Sequence, residues 1–288
     1  MNGKERGKIE TRQINGLKPS IVMEQNKPGF TKSENKIYEY ILSNPEQVLY
    51  HSLTELSEAS KVAEATVLRF FRKMGYKGFQ DFKFLLAQEL TVDSNQQAGE
   101  TTYMERILHN TIQSVENTYA ILDTEALEGT IDSIYRSQDV VIFGIGSSGI
   151  AGLDMQNRLM RIGKNVSVIT DPHFQVMRAS SLTEESVVVA ISLTGSTKDI
   201  VDTVQIAKEK KAKIIVLTNY VKSPLTKYAD YILLTSAKEN PLDSGSLVSK
   251  ITQLYLIDLI CTGITLKNYE KAEKVKIEIT ENIASKLY

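Results

Sequence analysis

Cysteine is nearly absent from this 288-residue chain: Cys261 stands alone. A single thiol excludes an internal disulfide, and a reducing, cytoplasmic setting is the default expectation. Cys261 lies in an apolar helical run and reads as a small core residue rather than a nucleophile. Histidine is scarce as well. His51, His109 and His173 are scattered, which leaves no zinc constellation, and no metal or cofactor is expected. A formal net charge of −1 excludes an indiscriminate polyelectrolyte binder, so any nucleic-acid contact must come from a local patch. No apolar run approaches the ~20 residues of a membrane span. The polar stretch 1–12 carries no secretory h-region, so no membrane partner is expected.

What is present is organised around Val140-Val141-Ile142-Phe143, followed by Gly144-Ile145-Gly146-Ser147-Ser148-Gly149. Four apolar residues in a row read as a strand buried on both faces. A glycine- and serine-rich turn and a helix start follow it, which together make an anion site. The run Val187-Val188-Val189-Ala190-Ile191 repeats the logic and ends in Ser192-Leu193-Thr194-Gly195-Ser196-Thr197. Two such loops at the C-terminal ends of parallel strands should share one crevice. Four hydroxyls in six residues around Gly195, with a helix dipole behind them, suit a phosphoryl group. Helix capping alone would account for one hydroxyl, and four fit it poorly. Ser147 and Ser148 are the weaker half of the pattern. Asp171, His173 and Gln175 follow the next strand, where meeting sugar hydroxyls and capping a helix are equally open.

Residues 1–30 are polar, with turn signals at Asn15-Gly16 and Pro28-Gly29, and read as a flexible arm. Its six cations, Lys4, Arg6, Lys8, Arg12, Lys18 and Lys27, are read as solvated. Thr31 and Glu34 form a capping-box pattern that opens a helix, and Asn44-Pro45 closes it. Residues 52–75 read as a short helix, a tight turn near 60–62 and a second helix ended by Gly75. In that second helix Val67, Phe70, Phe71 and Met74 share one face. The opposite arc carries Ala65, Thr66, Arg69, Arg72 and Lys73, small residues first and cations after them. This layout suits a recognition helix: short side chains near base edges, cations for guanine edges and phosphates. Lys77 and Lys83 add to the local excess, against Asp81 alone. Residues 91–102 are nearly free of apolar side chains and read as a linker.

From residue 104 on, helices at 104–121 and 125–135 precede strands 139–143, 165–169, 186–191, 213–218 and 230–234 that alternate with helices. The fold class expected is α/β: an all-α helix-turn-helix domain at 30–90, a linker at 91–103, and a three-layer α/β/α parallel-sheet domain at 104–288.

The pattern resembles the RpiR/MurR-type bacterial transcriptional regulators, in which a helix-turn-helix domain is joined to a sugar-isomerase (SIS) domain. The resemblance rests on Thr66-Val67-Leu68-Arg69-Phe70, Gly75-Tyr76-Lys77-Gly78-Phe79, Phe82-Lys83, the 143–149 and 159–163 segments, Asp171-Pro172-His173-Phe174-Gln175 and the 191–197 segment. It implies a regulator of sugar or amino-sugar metabolism, binding operator DNA as a homodimer or homotetramer and a sugar phosphate as effector. It implies ligand-binding roles for Gly146, Ser147, Ser148, Ser192, Thr194, Gly195, Ser196 and Thr197. Lys61 stands where the family often has Gly, and Ala63 where it often has a Ser N-cap. Each costs roughly 1 kcal/mol. Lys250 stands where Arg is frequent, which removes a bidentate contact.

Two alternatives stay open at this point. Gly144-x-Gly146-x-x-Gly149 also matches a dinucleotide fingerprint, and Asp171 lies 22 residues past Gly149. That would make an NADH sensor, although it leaves the second hydroxyl-rich loop without a use. A sugar-phosphate isomerase is the other. Neither loop holds a carboxylate to move a proton, and Glu239 and Asp243 are the nearest candidates. The expectation is a regulator with no catalytic residues.

Overall fold

A computed structural model describes residues 18–94, 102–237 and 247–284. They fall into two compact units, a helical one and an α/β one. The expected linker at 91–103 is shorter than that, since residues 91–94 end one helix and Tyr103 begins another; its residues 95–101, the arm cations Lys4, Arg6, Lys8 and Arg12, and Glu239 and Asp243 lie outside the described residues.

The helical unit contains α1 (Pro19–Asn26), α2 (Lys32–Ser43), α3 (Pro45–Leu49), α4 (Leu53–Ser60), α5 (Glu64–Lys73) and α6 (Phe79–Ser94). Two capping boxes start its helices. Thr31 accepts from the Glu34 amide while Glu34 accepts from the Thr31 amide, and Ser52 and Glu55 repeat the arrangement. The core gathers Ile37, Ile41, Leu56, Val67, Phe70, Phe71, Phe82 and Leu86. Phe71 and Phe82 pack with ring centroids 4.7 Å apart, and each buried ring contributes about 1.5–3 kcal/mol. The expected flexible arm to residue 30 is corrected here. Residues 19–26 are helical, and Val22 and Met23 are buried in the same cluster.

The α/β unit contains α7 (Tyr103–Ala120), α8 (Thr124–Arg136), β1 (Asp139–Gly144), α9 (Ser147–Met160), β2 (Val166–Ile169), α10 (Pro172–Ser180), β3 (Ser186–Ile191), α11 (Lys198–Glu209), β4 (Lys213–Thr218), β5 (Tyr231–Leu234), α12 (Leu247–Lys267) and α13 (Tyr269–Ala284). The five strands pair in parallel in the order β2-β1-β3-β4-β5. Strand alternation explains the layers. Val140, Ile142, Val187 and Val189 face α8, α9 and α12, while Val141, Phe143, Val188 and Ala190 face α10 and α11. The chain leaves β1 toward β2 over one face and returns to β3 over the other. The order therefore reverses between β1 and β3, the position at which such sheets bind ligands.

One expectation about membranes needs amending. α12 has 21 residues, and an 18-residue window of it reaches a mean hydropathy of 1.4, enough by length and composition to cross a bilayer. Its Leu256, Ile257, Ile260 and Ile264 instead pack into the sheet's core, beside α8 and α9. Cys261 joins that cluster, 6% exposed, and burial pushes its thiol up to about 12, as suits an inert core residue.

Candidate functional site

The crevice follows from register. Gly144 at the end of β1 is paired with Ile191 at the end of β3, so the two small-residue loops leave the sheet side by side. Each then enters a helix whose first turn has no side-chain cap: Gly146 precedes α9 and Thr197 precedes α11. By contrast, Asp171 caps α10, accepting from the Phe174 amide at 3.0 Å. Two open N-termini therefore face one rim, where N–H groups and helix dipoles favour an anion.

Both loops turn on glycine. Gly146 has φ +59° and ψ −128°, and Gly195 has φ +58°. The second loop is tied to β4, since Thr218 donates to the Leu193 carbonyl and Asn219 N–H donates to the same oxygen.

Hydroxyl bookkeeping separates the expected site residues. Among the described residues, no hydrogen bond engages the hydroxyls of Ser147, Ser192 or Thr197. Ser148 is buried, and its Oγ accepts from Gln253 at 3.4 Å. Ser196 spends its amide on Thr194 Oγ1 and its hydroxyl on the Thr194 carbonyl. Ser196 thus has no proton left to give, which removes it from the donor set that composition alone implied. Thr194 accepts with its oxygen and keeps its own proton. Gln175 and Gln253 also converge on the first loop. Gln253 was not legible as a site residue, because one amide in an apolar helix gives no local signal.

The open question after β2 resolves in part. Asp171 is a helix cap, which engages the carboxylate that a ribose would need. Gln175 is fully buried and donates to the Ile169 carbonyl at 2.7 Å. His173 is exposed on the first turn of α10.

In the helical unit, α4 and α5 form the helix-turn-helix pair. Lys61 takes the left-handed conformation, φ 55° and ψ 46°, and Ala63 leaves α5 without a side-chain cap. Val67, Phe70 and Phe71 are buried, and Ala65, Arg69 and Arg72 are exposed on the other side. Arg69 donates to Thr66 Oγ1 at 3.3 Å. Two expected cations are redirected. Lys73 pairs with Glu34 at 2.9 Å and donates to the Gly29 carbonyl at 2.7 Å, so its charge is largely compensated. Burial opposes ionisation of Glu34, yet the Thr31 amide and Lys73 hold its carboxyl below the usual range. Lys83 is 2% exposed and donates to the His51 carbonyl at 2.9 Å, so it cannot reach a phosphate; burial lowers its ammonium to about 8.

Residues 17–93 match the helix-turn-helix domain of the rpiR family, and residues 133–263 match the SIS domain. An HTH-type transcriptional regulator of Clostridium perfringens is 36% identical over 262 residues, covering 88% of this chain and 94% of that one. The chain belongs to the RpiR family of helix-turn-helix transcriptional regulators. Within this family, HexR of Pseudomonas aeruginosa is 32% identical, covering 82% of this chain and 85% of its own. Vibrio vulnificus NanR, solved in complex with ManNAc-6P, superposes with a TM-score of 0.85 at 27% identity, covering 94% of this chain and 100% of that one. This RpiR-family chain is a transcriptional regulator that couples a helix-turn-helix domain to a SIS domain.

Proposed function

We propose that this regulator binds a sugar phosphate between the 144–148 and 192–197 loops, and that occupancy alters its grip on an operator. The observation that carries the reading is the pair of uncapped helix N-termini, α9 and α11, leaving the register-matched strand ends Gly144 and Ile191. Their amides, with the hydroxyls of Ser147, Ser192 and Thr197 and the Thr194 proton, form a donor set for a phosphoryl group. Gly146 and Gly195 let the backbone come close. Ser148 lines the floor. The complex of NanR with ManNAc-6P makes an amino-sugar phosphate the first effector to test.

Ala65, Thr66, Arg69 and Arg72 are the side chains assigned to operator DNA, with Lys73 supporting the helix through Glu34. A homodimer would present two such helices, and a homotetramer two pairs; a small rotation within a pair changes the match to two half-sites. Neither loop holds a carboxylate or imidazole to move a proton between carbons, which supports a sensor rather than an isomerase. The setting that goes with operator binding is the cytoplasm.

The test is a thermal-shift panel of hexose phosphates, N-acetylmannosamine 6-phosphate and NADH, followed by mobility shifts on DNA pulled down from the native genome. A sugar phosphate should raise the melting temperature and change operator affinity. Stabilisation by NADH alone, or isomerase turnover, would overturn the reading.

A further inference from the structure

Two buried glutamines meet the first crevice loop from opposite layers of the sheet. Gln175, on α10, is fully buried, and its Nε2 donates to the Ile169 carbonyl at 2.7 Å and reaches the Gly144 carbonyl at 3.4 Å. Phe143 and Ile169 are register partners, so this amide ties the end of β1 to the end of β2 where the strands stop pairing. Only an NH2 group can serve two carbonyls, which fixes the amide's orientation. Its Oε1 is buried and meets no protein donor among the described residues. Gln253, on α12, is 3% exposed and donates to Ser148 Oγ at 3.4 Å.

A buried amide with half its bonding capacity unmet by protein adds little net stability, and an apolar side chain of similar shape serves a core better. Stability therefore does not account for Gln175 at this place. What the two amides have in common is the loop: Gln175 holds the carbonyl at its root, and Gln253 holds the hydroxyl at its far end. The Gln253 contact also sets polarity. Because Ser148 Oγ accepts from the amide, its own proton remains to be donated, as an anionic oxygen requires.

We propose that Gln175 and Gln253 are positioning residues that pin the 144–148 loop at both ends and keep its amides and the Ser148 proton aimed at the crevice. The inference rests on the effector reading above, but the loop-ordering half is tested without any effector.

The experiment uses the full chain with Gln175→Met, Gln253→Met and Gln253→Glu. Hydrogen exchange of the 145–149 amides, measured without ligand, should accelerate by about tenfold in both Met variants, while the melting temperature stays near that of the wild type. Affinity for N-acetylmannosamine 6-phosphate and for inorganic phosphate should fall by about tenfold in the same variants. Gln253→Glu should lose more affinity than Gln253→Met, because a carboxylate captures the Ser148 proton and repels an anion. Unchanged loop exchange in both Met variants overturns the proposal. So does acceleration spread evenly over the α/β unit with a matching fall in melting temperature, the signature of ordinary core residues. If the wild type binds neither phosphate while loop exchange responds as stated, the effector reading falls and the pinning stands.

Discussion

Gly195→Ala is the substitution for which the second loop gives the sharpest expectation. The residue sits at φ +58°, where an L side chain costs about 1–2 kcal/mol. An added Cβ would also lie 2.2 Å from Ser223 Oγ, 2.7 Å from Ser223 Cβ and 3.1 Å from Thr218 Oγ1. Ser223 cannot step aside freely. It is 1% exposed, its amide donates to Thr226 Oγ1 at 2.9 Å, and Leu225 N–H donates to the Gly195 carbonyl at 3.0 Å. Overpacking of this kind adds about 1–3 kcal/mol, so the total falls at roughly 2–5 kcal/mol. For a unit of this size that lowers the melting temperature by roughly 5–15 °C. Gly146→Ala is the matched control: its φ is +59°, but the added Cβ meets nothing within 4 Å. It should cost only the backbone strain, about 1–3 kcal/mol. Scanning calorimetry of the full chain, paired with sugar-phosphate titration, reads both. A Gly195→Ala protein melting within about 1 °C of the wild type would refute the reasoning.

Thr197→Ala removes an uncapping, unbonded hydroxyl, so it should leave the melting temperature unchanged while lowering effector affinity by about tenfold; a stability loss with intact affinity would make Thr197 a plain cap. Arg69→Ala should weaken operator binding and flatten its salt dependence in mobility shifts, with effector affinity untouched. Lys61→Gly should stabilise the helical unit by about 1 kcal/mol, read in urea melts, since it relieves a left-handed lysine. The helical unit should also gain stability as pH rises from about 8 to about 10. In that window the unfolded chain keeps the Lys83 proton that the buried ammonium has released, worth up to about 3 kcal/mol. Burial pushes the Tyr76 phenol upward, so the gain should reverse above about pH 10, where unfolded tyrosine ionises. Chemical melts across pH 7–11 check both limbs, with the Lys83→Met variant losing the first.

Much of the sheet was legible because buried parallel strands are written as unbroken apolar runs, and each such run ended at its loop within a residue or two of where the strand ends. The crevice was legible for the same reason: glycine and hydroxyl clusters at strand ends have few other uses. The helix-turn-helix pair was legible from one face of α5. What stayed hidden depends on partners far away in sequence. α1 is short and buries only Pro19, Val22 and Met23, so nothing local marks its packing against α6. Lys83 counted as a surface cation until its carbonyl partner at His51 appeared, and Lys73 until Glu34 did. Composition could count the hydroxyls of the second loop, but only geometry reveals that Ser196 spends both its protons on Thr194.

The central claim is that the phosphoryl group of a sugar phosphate sits between the two uncapped helix starts. A crystal structure of the full chain soaked with N-acetylmannosamine 6-phosphate and, in parallel, glucose 6-phosphate tests this most directly. The account predicts phosphate oxygens within hydrogen-bonding distance of the Ser192 and Thr197 hydroxyls and the first amides of α11. A phosphate seated instead in the 620 Å³ cavity lined by Arg158, Arg161 and Lys276, with the two loops empty, would contradict it.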